Sequence, residues 1–315
     1  MMWIVDNNKK VLNTMDELNE TKKAKDVNTY DFSTLYTKIS HNDLKAKMQW
    51  IVEKAFYNKS KNYIYVHKNN PNIHATWNKR NNTYRITKDK LLEYITYLID
   101  NIYITVGQNT FRQIIGIPMG TDCAPYLANL YLYAIESNYI KHLMSNNLTI
   151  ARKLSMSYRY IDNLIMFNSN GLMDKHKTKM YPPELILNKE NKTNLHSTFL
   201  DINININKNN TITTSIYDKR DDFNFTINNF PNLSGNTHAK RTHGIVISQL
   251  IRYCKVCNGV NDFIYRSKIM MNKLTNQYFI PKLLRNKFSI FYDKYYHMIK
   301  KYNYSKLKLI NNIFT

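Results

Sequence analysis

The stretch LSMSYRYIDNLIMFN, from Leu154 to Asn168, reads as two short apolar strands hinged at Asp162–Asn163. Its arms are apolar and its tip is polar. Asp162 follows Ile161 and precedes Asn163 in this otherwise apolar hairpin. A carboxylate taken out of water costs several kcal/mol unless it is paired or binds a metal. An acidic residue at this place therefore needs a reason.

A second strand starts upstream. NTYDFSTLYT, Asn28 to Thr37, is rich in Thr, Tyr and Phe, and it carries Asp31 between Tyr30 and Phe32. Two carboxylates from separate strands, converging beside a basic groove, suit Mg²⁺. Two such ions about 3.5–4 Å apart can activate an attacking hydroxyl and stabilise a leaving pyrophosphate. A plainer reading makes Asp31 a turn-side residue and Asp162 only a hairpin tip. Pattern alone leaves both open.

The rest of the chain alternates around these strands. Residues 9–22 read as a polar helix. Ser40 or Asn42 caps a helix carrying Leu44, Met48, Ile51, Val52 and Ala55 at helical spacing. Residues 62–86 read as a β-ribbon, and 88–103 as an amphipathic helix. Gly116, Pro118 and Gly120 set a turn between a strand and a helix that starts near Asp122. Strands follow at 184–187, 197–206 and 211–217, where NININ (203–207) alternates as a half-buried strand does. From Gly244 the pattern is helical to about Tyr302. The expected fold is α+β, with a strand-and-helix region over 1–240 and a helical region over 241–315.

Composition narrows the function. Lys and Arg total 45 against 23 Asp and Glu, a net charge of +22 over 315 residues. Such a surplus favours a polyanionic partner, nucleic acid first, because each neutralised phosphate releases a counterion. Asn is about one residue in seven, the bias of an AT-rich coding sequence, and part of the Lys excess shares that origin. No apolar run reaches the roughly 18 residues of a membrane span, and the first ten residues show no secretory signal. Three cysteines cannot build a disulfide scaffold, which points to an intracellular protein, nuclear or cytoplasmic. With 7 glycines there is no Gly-rich phosphate loop.

In order, YDFSTLYTKI, GIPMGTDCAPYLANLYL and YRYIDNL resemble motifs A, B and C of reverse transcriptases, in the version of Penelope-like retroelements. SIYDKRDDFNFTINNFPNLSGN and GIVISQLIRYCKVC are also similar to that group, so the resemblance runs from about Trp3 to Tyr302. It implies a right-hand polymerase palm followed by a helical thumb. It implies RNA-templated DNA synthesis from dNTPs on a DNA primer, with Mg²⁺ or Mn²⁺. Asp31 and Asp162 match the catalytic metal ligands. Tyr36 matches the aromatic position that excludes a ribose 2′-hydroxyl, since a ring cannot yield to an added oxygen. Gly116, Pro118 and Gly120 match the motif B turn that meets incoming base and template. Lys189, in LILNKEN, matches loosely the lysine that protonates leaving pyrophosphate.

Two departures stand out. Asn163 replaces the second motif C aspartate, which removes one negative charge near the metals. Only 30 residues precede Asp31, so a fingers region is largely missing. The resemblance thus implies an N-terminally truncated element, a split protein whose fingers another segment supplies, or a decayed remnant that binds nucleic acid without catalysis. Among the thumb-like helices, Lys268, Lys273, Lys282 and Arg285 recur between aromatics, as a strand-binding surface or a solvated helix face. His238, His243, Cys254 and Cys257 have H-x4-H…C-x2-C spacing, a weak zinc signal against two ordinary buried cysteines.

Overall fold

In the computed structural model, the described residues are 3–70, 72–154, 156–225, 227–237 and 242–314. The architecture is α+β. The first helix, α1 (Lys9–Thr21), leads to β1 (Val27–Phe32), which is buried at every position except the half-buried Asp31. The strand ends sooner than its Thr, Tyr and Phe content suggests. The Thr34 hydroxyl donates to the Glu184 carbonyl at 2.7 Å and accepts from the Ile186 amide at 2.9 Å. The Thr34 carbonyl accepts from the Thr37 and Lys38 amides at 3.1 and 3.0 Å, and the chain turns into the short helix α2 (Leu35–Lys38).

Next come α3 (His41–Lys59), the ribbon of β2 (Tyr63–His67) and β3 (Thr83–Thr87), and α4 (Lys88–Asp100). The hairpin of β4 (Tyr103–Val106) and β5 (Asn109–Arg112) precedes α5 (Ala124–Asn146), which has Pro125 in its first turn, where a missing N–H costs nothing. After α6 (Leu148–Leu154) come β6 (Ser157–Tyr160) and β7 (Asn163–Phe167). Then follow α7 (Leu172–Met180) and β8 (Leu187–Lys189).

The chain forms two compact units, residues 1–5 with 30–189, and residues 6–29 with 190–315. The sequence pattern changes from strand to helix near residue 240. Compactness divides the chain elsewhere, inside β1 and after Lys189.

The first unit is built on a sheet of order β6-β7-β1-β8. β6 and β7 pair antiparallel from Ser157↔Met166 to Tyr160↔Asn163, and Tyr30 of β1 faces Lys189 of β8. Its core joins Tyr30 and Phe32 to Leu44 and Met48 of α3, Leu127 and Leu132 of α5, and Leu164 and Met166 of β7. Each such side chain contributes about 1.5–3 kcal/mol by leaving water.

The second unit contains the sheet β11-β10-β9, from β9 (His196–Phe199), β10 (Ile202–Ile206) and β11 (Ile212–Ile216). Ile202, Ile204 and Ile206 are buried while Asn203 and Asn205 are half-buried, the alternation the repeat predicts. Helices Gly244–Val256, Val260–Thr275, Pro281–Lys294 and Lys306–Phe314 follow. They bury an aromatic group of Phe263, Phe288, Phe291 and Tyr302.

Candidate active site

β7 and β1 are neighbours in the sheet. The Phe32 amide donates to the Asp162 carbonyl at 3.2 Å, so the residue after Asp31 is bonded to Asp162 itself. Asp31 is thus part of a strand, and Asp162 is in the two-residue turn Ile161–Asp162 of the adjoining hairpin. Both residues are half-buried. The Asn163 amide donates to the Asp162 carboxylate at 2.8 Å. Tyr36 is close by: burial raises its hydroxyl above the usual tyrosine range, and the charges of Asp162 and Tyr160 raise it further. The phenol stays protonated at neutral pH.

The turn is held under strain. Ile161 has φ of +53°, in the left-handed region that a β-branched residue avoids. The Ile161 carbonyl accepts from Arg159 Nη1 at 2.9 Å. Arg159 is fully buried and donates through Nε and Nη2 to the two oxygens of buried Glu136 at 2.7 and 3.0 Å. Glu136 also accepts from Trp3 Nε1 at 2.6 Å and from the Tyr181 hydroxyl at 3.1 Å. This network is tied to the Asp162 turn through the Ile161 carbonyl. Sequence reading overlooked it, although Arg159 in an apolar hairpin carried the same signal as Asp162: a charge that requires a partner.

The segment after β1 also carries the glycine turn. The Gly116 amide donates to the Ile39 carbonyl at 2.7 Å, and the Ile117 amide to the Tyr36 carbonyl at 2.8 Å. His41 Nε2 is 2.9 Å from the Gly116 carbonyl, another contact that the sequence did not suggest. A Cβ on Gly116 would come within 2.4 Å of the Tyr36 carbonyl oxygen, and φ there is +86°. Gly120 has φ of +97° but nothing within 4 Å of such an atom. Pro118 is buried between them. Gly116→Ala is therefore expected to cost about 1–3 kcal/mol through strain and forced movement of Tyr36. Gly120→Ala should cost less. Thermal denaturation compares the two, and equal losses would sink the steric argument.

Lys189 is on β8 opposite Tyr30, next to Asn188, which faces Asp31. Its ammonium lies 4.0 Å from Asp174. Among the described residues no group of three or more His, Cys, Asp or Glu could hold a metal ion. Asp31 and Asp162 are carboxylates, the ligand type Mg²⁺ takes from a protein, one or two at a time, with its other oxygens from substrate phosphates and water. Of the zinc pattern, His238 lies outside the described residues. Cys254 and Cys257 are buried, which raises both thiols, Cys257 to about 11. They are packed as neutral thiols.

The site thus combines Asp31 on β1, Asp162 in the turn that leads into β7, and a glycine turn bonded to Tyr36 and Ile39. No family model and no curated relative matches the sequence. The fold is similar to that of a telomerase from Candida albicans, in a complex with the TWJ fragment of telomeric RNA. That match has a TM-score of 0.59 and 12% identity, and it covers 99% of this chain and 52% of that one. It is also similar to apo telomerase from Candida tropicalis, with a TM-score of 0.50 and 13% identity, over 99% of this chain and 50% of that one. The chain spans about half the length of these telomerases. No helix among the described residues is long and apolar enough to cross a membrane.

Proposed function

We propose that this chain is a reverse-transcriptase-like protein that binds an RNA template and a DNA primer and joins dNTPs to the primer 3′-hydroxyl. The observation that carries the reading is the bond between the Phe32 amide and the Asp162 carbonyl. It joins the backbone beside Asp31 to Asp162 in a fold similar to telomerases, which are reverse-transcriptase-related. The three ordered motifs and the net charge of +22 support the same reading. Its finer parts are a palm and thumb and a Penelope-like retroelement origin.

Asp31 and Asp162 would hold Mg²⁺, or Mn²⁺ in its place. A divalent ion bound there supplies positive charge against the triphosphate and the attacking oxygen. In this reading Tyr36, half-buried beside Asp162, excludes a 2′-hydroxyl by its bulk. Gly116, Pro118 and Gly120 let backbone approach base and template. Lys189 donates a proton to leaving pyrophosphate. Asn163 favours a second reading, a nucleic-acid-binding remnant without catalysis, because its amide adds no charge beside Asp162.

Primer extension on an RNA template with dNTPs, in Mg²⁺ and then Mn²⁺, separates the two. Extension by the wild-type chain supports the polymerase. Extension only by Asn163→Asp marks a scaffold silenced at one residue. Strand binding with no extension by either chain overturns the catalytic reading in favour of the remnant.

A further inference from the structure

The second unit encloses a cavity of about 140 Å³ that the carboxylate chemistry does not use. Ile216, Phe230, Ile269 and Met270 give it an apolar floor. Arg220, Arg252, Arg266 and Lys273 line it against one lining carboxylate, Asp218. Each arginine has an acidic partner: Arg220 pairs with Asp218 at 2.7 Å, Arg252 with Asp201 at 2.7 Å, and Arg266 with Asp221. A guanidinium has five N–H donors, and the last two pairs use only Arg252 Nη2 and Arg266 Nη1. Lys273 makes no ion pair within 4 Å among the described residues. Four cations thus face three carboxylates, and one positive charge is left over.

Size and charge select the ligand. Pockets that engulf a whole small molecule run to roughly 300–1,000 Å³. A cavity of 140 Å³ takes one compact group and leaves the remainder outside. Planar arginine forks match phosphate oxygens. A backbone phosphodiester brings one negative charge, equal to the surplus, whereas a phosphomonoester brings about 1.5 to 2.

The chain between two lining residues supplies a second observation. Arg220 and Asn229 both line the cavity, and the segment between them carries Phe223 and Phe225. These rings are 48% and 66% exposed, and their centroids are 5.5 Å apart. Exposed aromatics on a segment that joins two residues of a cationic cavity suit the stacking of unpaired bases.

We propose that this cavity seats one phosphodiester of a single-stranded nucleic acid, with neighbouring bases stacked on Phe223 and Phe225. The site lies in the other unit from Asp31 and Asp162 and works whether or not they are catalytic.

Fluorescence anisotropy with a labelled 12-nucleotide oligo(U) or oligo(dT) tests it. Phe223→Ala with Phe225→Ala is expected to weaken binding about tenfold or more. Lys273→Gln is expected to weaken binding and to lower the salt slope by about 0.7. Asp31→Ala should bind as wild type does, so failure of the polymerase reading, seen only in extension, stays separate. The aromatic rings are exposed, so thermal midpoints should not move. Variant affinities within twofold of wild type would overturn the site. A duplex bound as tightly as the single strand would overturn its single-strand character. Phosphatidylserine vesicles bound with the same sensitivity to these variants would overturn nucleic acid as the ligand.

Discussion

Replacing Arg159 with leucine is expected to destabilise the first unit by about 3–5 kcal/mol, the usual loss when one partner of a buried ion pair is removed. Arg159 is fully buried, and Glu136 is 1% exposed. Without the guanidinium, the Glu136 carboxylate would keep only the Trp3 indole and the Tyr181 hydroxyl as donors. The Ile161 carbonyl would also lose its 2.9 Å bond to Arg159. Urea unfolding should show a lower midpoint at an unchanged slope, which separates stability from compactness. Adding Glu136→Leu should return part of the loss, because the unpaired charge disappears. Recovery should stay incomplete, since Trp3 and Tyr181 would then lack their acceptor. A loss below about 1 kcal/mol would mean that water reaches the site and that the pair is an ordinary surface bridge.

Asp31→Ala is expected to reduce nucleotide incorporation by more than about a hundredfold, if the chain extends primers. Even the outer partners of a metal ligand are worth about 10–100-fold, and a ligand should exceed them. The side chain is half-buried at the end of β1, so its removal should leave the thermal midpoint nearly unchanged. Loss of extension with intact folding and strand binding would therefore locate the defect in chemistry. Extension at the wild-type rate would sink the assignment of Asp31. The Asn163→Asp variant places a second carboxylate beside Asp162. Like charges so close resist joint ionisation, so its activity should depend more steeply on divalent ion concentration than that of wild type.

The strand pairing around the candidate site is legible because charge in an apolar strand is conspicuous. Asp31 and Asp162 stand out on that ground, and the sheet pairs β1 with β7. The ININI repeat announced its own burial pattern. The early end of β1 was not legible, because it depends on bonds between Thr34 and residues 184 and 186, some 150 positions away. His41 was hidden for a similar reason, since its partner is the carbonyl of Gly116 and backbone groups carry no sequence signal. Arg159 carries the same signal as Asp162, a charge in an apolar hairpin, but composition does not mark it among 45 Lys and Arg.

The contacts of Trp3, Ile4 and Val5 can close only late in synthesis. The Val5 amide donates to the Arg159 carbonyl at 2.9 Å, Ile4 bridges to Arg159 in parallel, and the Trp3 indole reaches Glu136 across 133 positions. These residues leave the ribosome long before their partners exist. At about 5–20 residues per second, the tryptophan waits on the order of ten seconds or more before its acceptor and the hairpin emerge. Through that interval an apolar N-terminal segment is exposed on the nascent chain, a natural stretch for a chaperone to shield. The turn that aims Asp162 is thus completed late, by residues made early.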